Sequence, residues 1–275
     1  MKERITITID EDMLSSIDAQ VDGTVIKNRS HAIELNLSKA LQRKNISQAV
    51  ILAGGPYELK IDRKDIPTTM LEVNGKTILE HNILMLKKQG IKKFIIAVGH
   101  KKEIIKNYLK DGKKLGVEIT YIEEDVPLGT AGALKEAAQH ISGTFLVCNG
   151  DELKSIDIKE MYEYHRKQGT LATIAVTTTM NPKDYGVVIL NGNRVYSFVE
   201  KPKENIPTNL INAGLYIFEP EVINEAPEGY GRLEEDVFPK LANREECAGY
   251  VFYGEWQDVR SEEALAQAIK NWNND

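Results

Sequence analysis

The amino-acid sequence predicts an α/β protein, with a mixed, mostly parallel sheet covered by helices and a small separate module before it. Strand and helix patterns alternate from Ala49 to Asp151, which is typical of a parallel sheet with helices on both faces. From Leu171 onwards the patterns are mainly those of strands and hairpins. The first 46 residues contain one strand pattern and two helix patterns, which are too few residues to bury a core alone.

The composition is that of an ordinary globular protein. The chain has 275 residues, of which 42% are hydrophobic and 28% charged, and no apolar run approaches the ~18 residues of a transmembrane helix. The N-terminus lacks the apolar stretch of a signal peptide, and Cys148 and Cys247 have no metal-binding or disulfide spacing. We therefore expect a cytoplasmic location and no membrane partner. The net charge of −6 argues against nucleic-acid binding over the whole chain but permits a local contact surface.

The first predicted element is a strand in the sequence "KERITITID". Its residues alternate strictly, so that the isoleucines fall on one face. The other face carries Arg4, Thr6 and Thr8. A single strand leaves both edges unpaired, so we expect a dimer in which two copies of this strand pair antiparallel.

Two helices are predicted after this strand. Asp10 is the expected N-cap of the first helix, Asp22-Gly23 signals a turn, and Ser30 is the expected N-cap of the second. This order resembles the ribbon-helix-helix DNA-binding family over residues 1–43. The resemblance implies a ribbon in the major groove of operator DNA and phosphate contacts at the start of the second helix. The implied DNA-binding residues are Arg4, Thr6, Thr8, Arg29 and Ser30.

A plain dimerisation role for residues 1–46 is the alternative. This segment contains seven basic and seven acidic residues, whereas DNA-binding modules usually have an excess of positive charge. In either case we expect one domain over residues 1–46 and a second over residues 47–275.

The larger domain contains nine short motifs. In chain order they are "AVILAGG", "VNGKTILEH", "PLGTAGAL", "FLVCNGD", "DYGVVIL", "VEKPK", "INAGLYIFEPEV", "LEEDVFPKLA" and "WQDV". Residues 48–268 thereby resemble the sugar-phosphate nucleotidylyltransferases, which join a sugar 1-phosphate to a nucleoside triphosphate. The resemblance implies a Rossmann-like fold whose ligands bind beyond the carboxyl ends of the strands.

The same resemblance implies roles for particular residues. Asp151 and Asp258 would together hold Mg²⁺, a hard cation that prefers carboxylate and phosphate oxygens. The implied nucleotide-binding residues are Ala53, Gly54, Gly55, Gly129 and Thr130. The implied sugar-binding residues are Gly186, Glu200, Lys201 and Asn212.

The loop "GGPYELKIDRKDIPTTM" departs from the family pattern. The family has G-x-G-T-R-L followed by P-K, but here the lysine position is Thr68 and the arginine position falls at Leu59 or Lys60. Each lost stabilising cation typically costs ~10²–10³ in rate. Lys60 and Arg63 are possible substitutes. A second departure is Arg260, which stands where the family usually has glycine after "W-x-D-V".

These departures lead to the hypothesis of a DNA-binding transcription regulator. In it, the large domain binds a nucleotide-sugar, sugar phosphate or nucleotide as a signal, catalysis is lost, and the protein is a homodimer or a higher even oligomer. One alternative is an active sugar-1-phosphate nucleotidylyltransferase that dimerises through its N-terminus. Another is a DNA-binding protein whose large domain serves only assembly.

Overall fold

The structure of the protein, a computed structural model, describes residues 6–21, 28–42, 46–55, 66–204 and 207–272. The chain divides into two compact units, Met1–Asn45 and Ile46–Asp275. Within the described ranges, no helix has the length and apolar character needed to cross a membrane.

The described part of the first unit consists of two helices, α1 (Glu11–Asp18) and α2 (Arg29–Gln42). As expected, Asp10 caps α1, since its carboxylate accepts hydrogen bonds from two backbone N–H groups at 3.0 and 3.4 Å. The second helix is capped by the Asn28 side chain, which accepts from the His31 backbone N–H at 2.9 Å. Ser30 was expected in this role but lies within the first turn of α2.

The predicted N-terminal strand does not appear among the described residues. Thr6 and Thr8 are exposed and belong to no strand, and Arg4 and the Asp22-Gly23 turn lie outside the described residues. A strand of this kind needs the hydrogen bonds of a second strand. Arg29 donates twice to the Asp18 carboxylate, at 2.6 and 2.7 Å, so its charge is used within this unit.

The second unit is built on a sheet of nine strands among its described residues, in the order β5-β4-β1-β6-β11-β8-β12-β10-β9. Four strands, β5, β4, β1 and β6, are parallel; β11 pairs antiparallel with β6 and β8, and β10 pairs antiparallel with β12 and β9. The strands of this sheet are β1 Gln48–Leu52, β4 Lys93–Val98, β5 Glu118–Glu123, β6 Phe145–Asn149, β8 Ala172–Thr178, β9 Gly186–Asn191, β10 Arg194–Glu200, β11 Leu210–Phe218 and β12 Cys247–Val251. Two small sheets are formed by β2 Glu72–Val73 with β3 Lys76–Thr77, and by β7 Glu152–Lys154 with β13 Trp256–Asp258. The predicted α/β class with a mixed sheet is confirmed. The sheet is not mostly parallel as predicted, because its described strands make four parallel pairings, including β8 with β12, and five antiparallel ones.

Helices cover both faces of this sheet. They are α3 Ile78–Lys88, α4 Lys102–Leu109, α5 Gly129–Ala137, α6 Ile158–Gln168, α7 Phe238–Asn243 and α8 Glu262–Asn271. The alternation of β1 explains the two layers: Ile51 packs in one core cluster with Leu79 of α3, whereas Val50 packs in another with Leu134 of α5. Successive side chains of a strand point to opposite faces, so a fully apolar strand serves both cores.

The ends of three parallel strands bring the glycine and acidic motifs together. Strand β6 ends at Asn149, and the Gly150 N–H still donates to the Leu52 carbonyl of β1 at 3.0 Å, which keeps the turn before Asp151 against β1. The chain then turns into β7, and β13 pairs with it so that Asp258 lies opposite Glu152. The two acidic motifs, over a hundred residues apart in sequence, thus meet in the small sheet of β7 and β13.

Candidate active site

A cavity of about 1080 Å³ lies beyond the carboxyl ends of β1, β4 and β6. Its wall brings together Gly54 and Gly55 after β1, and Gly129 and Thr130 at the start of α5. Asp151 lines the same cavity, as do Lys201 and Arg232. The motifs that the sequence analysis assigned to nucleotide, acid and sugar phosphate therefore share one space large enough for a nucleotide.

Two glycines of this wall, Gly54 and Gly99, lie close to neighbouring atoms, whereas a Cβ atom at Gly55 would meet nothing within 4 Å. A Cβ atom at Gly54 would lie 2.6 Å from an oxygen of Glu124, and a Cβ atom at Gly99 would lie 3.0 Å from the Gly54 carbonyl oxygen. A side chain at Gly54 would displace the Glu124 carboxylate, and one at Gly99 would press on the Gly54 backbone. Ala53 is buried beneath them, and its N–H donates to the Ala97 carbonyl at 2.9 Å.

Glu124 is a site residue that the sequence analysis missed. It follows β5, lines the cavity and accepts a hydrogen bond from the Leu128 N–H at 2.9 Å. Burial raises the pKa of its carboxyl group. The available signal was its position, immediately after a strand and four residues before the "LGT" stretch that begins α5.

The start of α5 is fixed by a loop that ends at residue 231. Gly129 has φ +71°, and a Cβ atom there would overlap the Gly231 carbonyl oxygen. The Gly231 carbonyl in turn accepts from the Ala131 N–H at 2.9 Å. This contact places Tyr230 and Arg232 in the cavity wall beside Thr130.

Of the four expected sugar-binding residues, Lys201, Glu200 and Gly186 lie at or beside the cavity wall, whereas Asn212 is buried and already hydrogen-bonded. Lys201 lines the cavity with φ +42°, and Glu200 accepts from Arg232 Nη2 at 3.3 Å beside it. A Cβ atom at Gly186 would lie 2.5 Å from the Phe198 ring and 2.9 Å from Glu200, so this glycine makes room for them. Asn212 is buried, and its amide is already bonded to the Tyr216 hydroxyl and the Gly214 N–H, at 2.8 and 2.9 Å.

The two acids implied for Mg²⁺ have different surroundings. Burial and the neighbouring Glu152 carboxylate raise the pKa of Asp151 to about 6. Asp258 accepts from the Arg260 backbone N–H and Nε, both at 2.9 Å, from Arg260 Nη2 at 2.8 Å and from the Tyr185 hydroxyl at 3.0 Å. Although burial opposes it, the hydrogen bonds and charge of Arg260 lower the pKa of Asp258.

Asp151 and Asp258 as arranged do not fit joint ligation of a divalent cation. Both oxygens of Asp258 are engaged by donors, and a cation there would face the guanidinium of Arg260. Among the described residues, no group of three or more His, Cys, Asp or Glu side chains is placed to hold a metal ion.

Most of the altered loop lies outside the residues that the structure describes. Lys60 and Arg63, the possible substitutes for the family's cations, lie outside the described residues, as does Leu59. Thr68 begins a short 3₁₀ turn, Thr68–Met70, whose last two residues are buried. The described cations that line the cavity are Lys101, Lys102, Lys201 and Arg232, whereas Arg260 contacts Asp258 and the buried Lys154 contacts Glu152.

The family of the chain follows from a match over its larger unit. The model of the nucleotidyl transferase family matches residues 48–275. This chain belongs to the nucleotidyl transferase family. That match covers the motifs above and begins after the first unit, so the ribbon-helix-helix resemblance receives no support from it.

Curated relatives and solved structures agree with this membership. The chain is 36% identical over 220 residues to mannose-1-phosphate guanylyltransferase 1 of Arabidopsis thaliana, covering 77% of this chain and 61% of the relative. It is 34% identical over 221 residues to the mannose-1-phosphate guanylyltransferase catalytic subunit beta of Drosophila melanogaster, covering 78% and 60%. The chain thus spans about three fifths of the length of these relatives.

Solved structures share the fold over most of the chain. HddC from Yersinia pseudotuberculosis has a TM-score of 0.73 at 28% identity, covering 83% of this chain and 100% of that chain. A putative glucose-1-phosphate thymidylyltransferase from Bacillus anthracis has a TM-score of 0.75 at 23% identity, covering 83% and 97%. The predicted nucleotidyltransferase-like fold is therefore confirmed for the larger unit.

The hypothesis of a DNA-binding regulator without catalysis is wrong. Relatives that match more than three quarters of this chain are named as guanylyltransferases, and no comparison supports operator DNA as a partner. The hypothesis rested on the loss of two cations from one loop. Catalytic charge is a property of the whole cavity, and the structure places other cations around it.

Proposed function

We propose that the protein is an active sugar-1-phosphate nucleotidylyltransferase, with GTP and mannose 1-phosphate as its substrate pair. The observation that carries the proposal is the shared cavity, which brings Gly54, Gly129, Asp151 and Lys201 to one place. The names of the curated relatives support guanine and mannose as the base and the sugar.

The reaction is a substitution at the α-phosphorus of the triphosphate. A phosphate oxygen of the sugar 1-phosphate forms the new P–O bond, the bond to the β-phosphate bridge breaks, and pyrophosphate leaves. Catalysis of this kind depends on positioning and on fixed positive charge. Lys201 holds the incoming sugar phosphate, and the backbone at Gly54 and Gly55 approaches the nucleotide phosphates. Sugar nucleotidyltransferases generally use Mg²⁺, which neutralises phosphate charge when bound.

Glu124 selects the base in this proposal. An ionised carboxylate only accepts hydrogen bonds, and the Watson–Crick edge of guanine presents two adjacent donors, N1–H and the N2 amino group. Uracil and thymine present one donor between two acceptors. One Glu124 oxygen is held by the Leu128 N–H, which orients the other toward the cavity beside Gly54.

Sugar recognition is assigned to Glu200 with Lys201. The Arg232 contact fixes the Glu200 carboxylate, and Gly186 leaves room beside it. Asn212 acts indirectly, since its amide is engaged by Tyr216 and Gly214. Ala53 and Thr130 shape the nucleotide side of the cavity.

We further propose that residues 1–46 join two copies of the chain. Ile7, Met13 and Leu37 are 50%, 60% and 46% exposed, and a contact between two copies would remove this apolar surface from water. Light scattering of the full chain and of Met13→Asp tests this: a dimeric wild type and a monomeric variant are expected. A monomeric wild type would contradict it.

The enzyme proposal is tested by pyrophosphate release from each nucleoside triphosphate combined with a panel of sugar 1-phosphates. We expect turnover with GTP and mannose 1-phosphate. Glu124→Gln should lower kcat/KM for GTP about tenfold or more, the cost of one mismatched base contact. Lys201→Ala should raise the KM for the sugar phosphate, whereas Lys203→Ala, an exposed lysine two residues away, should not. Absence of turnover with every pair would refute the proposal.

A further inference from the structure

Arg260 forms a closed ion pair with Asp258 at the edge of the candidate active site. Its Nε and Nη2 donate to the two carboxylate oxygens at 2.9 and 2.8 Å. Such a two-point contact between a guanidinium and a carboxylate is stronger and more directional than a single ion pair. The Asp258 side chain is 15% exposed and that of Arg260 38%, so the pair is shielded on the acid side and open on the arginine side.

Neighbouring aromatic side chains hold the arginine in this position. The Arg260 guanidinium carbon lies 5.4 Å from the centre of the Tyr185 ring, within the range of a cation–π contact. The Tyr185 hydroxyl also donates to Asp258 at 3.0 Å, and its ring packs edge-on against Trp256 at 5.3 Å. Arg260 is therefore part of a built cluster and not a loosely placed surface residue.

The cluster lies beside the acid that faces the cavity. Asp258 pairs in register with Glu152, the residue after Asp151, and the charge of Arg260 acts on Asp151. A guanidinium here stands where two acids would otherwise converge on a divalent cation. Each oxygen of Asp258 already accepts two hydrogen bonds, three of the four from Arg260 and one from the Tyr185 hydroxyl, so its four lone-pair positions are taken and none faces a second cation.

We propose that Arg260 takes the place of a divalent cation at Asp258 and contributes its own positive charge to the phosphates of the nucleotide. Asp258 then holds the arginine, and Asp151 alone remains as a carboxylate for a metal ion. A guanidinium has five N–H donors in a planar fork that suits phosphate oxygens, and Asp258 takes two of them. The proposal rests on the proposed function for the identity of the nucleotide, but not for the competition with metal.

The chemistry also explains why this arginine accompanies the altered loop. The family's arginine and lysine are absent from residues 54–70 as the motif places them, and Thr68 carries no charge. A fixed guanidinium beside the second acid restores one cation without depending on that loop. Electrostatic stabilisation is effective only when the charge is preorganised, which the contacts with Asp258 and Tyr185 provide.

The first test titrates the nucleotide-free protein with Mn²⁺ alone. Electron paramagnetic resonance measures the concentration of the unbound ion. Arg260→Ala should bind Mn²⁺ about tenfold or more tighter than wild type, because a competing positive charge is removed. The double variant Arg260→Ala with Asp258→Asn should lose this gain. Arg260→Lys, which keeps a positive charge, should bind as weakly as wild type and guards against an effect of misfolding.

Arg244→Ala is the matched control. Arg244 makes a similar two-sided contact with Glu225 and Glu246, at 2.7 Å each, but neither of these acids is implied as a metal ligand, so its loss should leave Mn²⁺ affinity unchanged. Equal Mn²⁺ affinity of wild type and Arg260→Ala would overturn the proposal, as would a gain that survives Asp258→Asn.

The second test is the binding of GTP in the presence of a chelator, measured by calorimetry. Arg260→Ala should weaken metal-free GTP binding about tenfold, the value of one charge-assisted contact, and unchanged affinity would contradict the contact with phosphate. The proposed function has its own test: it fails if the wild-type protein releases no pyrophosphate. The Mn²⁺ comparison keeps its meaning in that case, since it uses no nucleotide.

Discussion

The Thr130 hydroxyl donates to a carboxylate oxygen of Glu234 at 2.8 Å and accepts from the Leu233 backbone N–H at the same distance. One side chain at the start of α5 thereby joins two motifs that lie about a hundred residues apart in sequence. Glu234 is 8% exposed, and burial raises the pKa of its carboxyl group. The hydrogen bond from Thr130 favours the ionised form and fixes this part of the cavity wall.

Thr130→Val should therefore destabilise the protein by about 1–3 kcal/mol, because a buried carboxylate and a backbone N–H lose their partner. Thr130→Ser keeps the hydroxyl and should cost less than the valine variant. Urea unfolding of the three proteins measures the difference. Equal destabilisation by both substitutions would show that the methyl group, not the hydroxyl, is the important part of the side chain.

His81 gives the stability a defined dependence on pH. Its Nε2–H donates to the Val73 carbonyl at 2.8 Å, and the ring lies 6.2 Å from that of Trp272 in an edge-on arrangement. Burial lowers the pKa of His81 below its ordinary value. The neutral ring is thus favoured in the folded state, and the unfolded chain binds the proton more readily.

The free energy of unfolding should consequently fall as the pH drops below about 6.5, the ordinary pKa of histidine, toward the lower pKa of the folded state. His81→Gln should reduce this fall, since glutamine does not titrate. His140→Gln, at an exposed histidine, should retain it. Thermal melting between about pH 5 and 8 makes the comparison, and an unchanged pH dependence in His81→Gln would contradict the assignment.

Gly132 is a helical glycine at which alanine is expected to be unfavourable. In most helices this exchange stabilises by about 0.4–1 kcal/mol. In α5, however, the added Cβ atom would overlap the Gly229 carbonyl oxygen. Overpacking against a backbone costs about 1–3 kcal/mol, so Gly132→Ala should lower the denaturation midpoint. A raised midpoint would mean that the loop at residues 229–231 yields easily.

The alternating part of the fold could be predicted from sequence because each element shows its own period. Strands β1, β4, β5 and β6 and their helices follow the expected order. The place of β11 between β6 and β8 could not be predicted, since an apolar nine-residue strand fits any central position. The same holds for the β7–β13 pair, whose partners are about a hundred residues apart.

The sequence predicted those parts of the candidate site in which backbone atoms, and not side chains, approach the ligand. Gly54 and Gly129 are fixed by close approach and by φ, and both belong to short motifs. Glu124 could not be recognised, because an acid in a polar loop is usually solvated. The contact of Arg260 with Asp258 is a matter of side-chain geometry, although the arginine itself was visible as a departure. The error about catalysis came from judging charge in one loop and not over the cavity.

Lys154 leads to the last prediction. Its side chain is 1% exposed. The ammonium group lies 3.3 Å from a Glu152 carboxylate oxygen and 3.1 and 3.2 Å from the carbonyls of Asn149 and Gly214. Lys154→Met has a similar volume but leaves Glu152 buried beside Asp151 without its cation. Breaking a buried pair in this way costs about 3–5 kcal/mol. Lys113→Met, at a pair whose lysine is 86% exposed, should cost less than about 1 kcal/mol. Chemical denaturation of both variants measures the difference, and a loss for Lys154→Met as small as that for Lys113→Met would contradict the assignment.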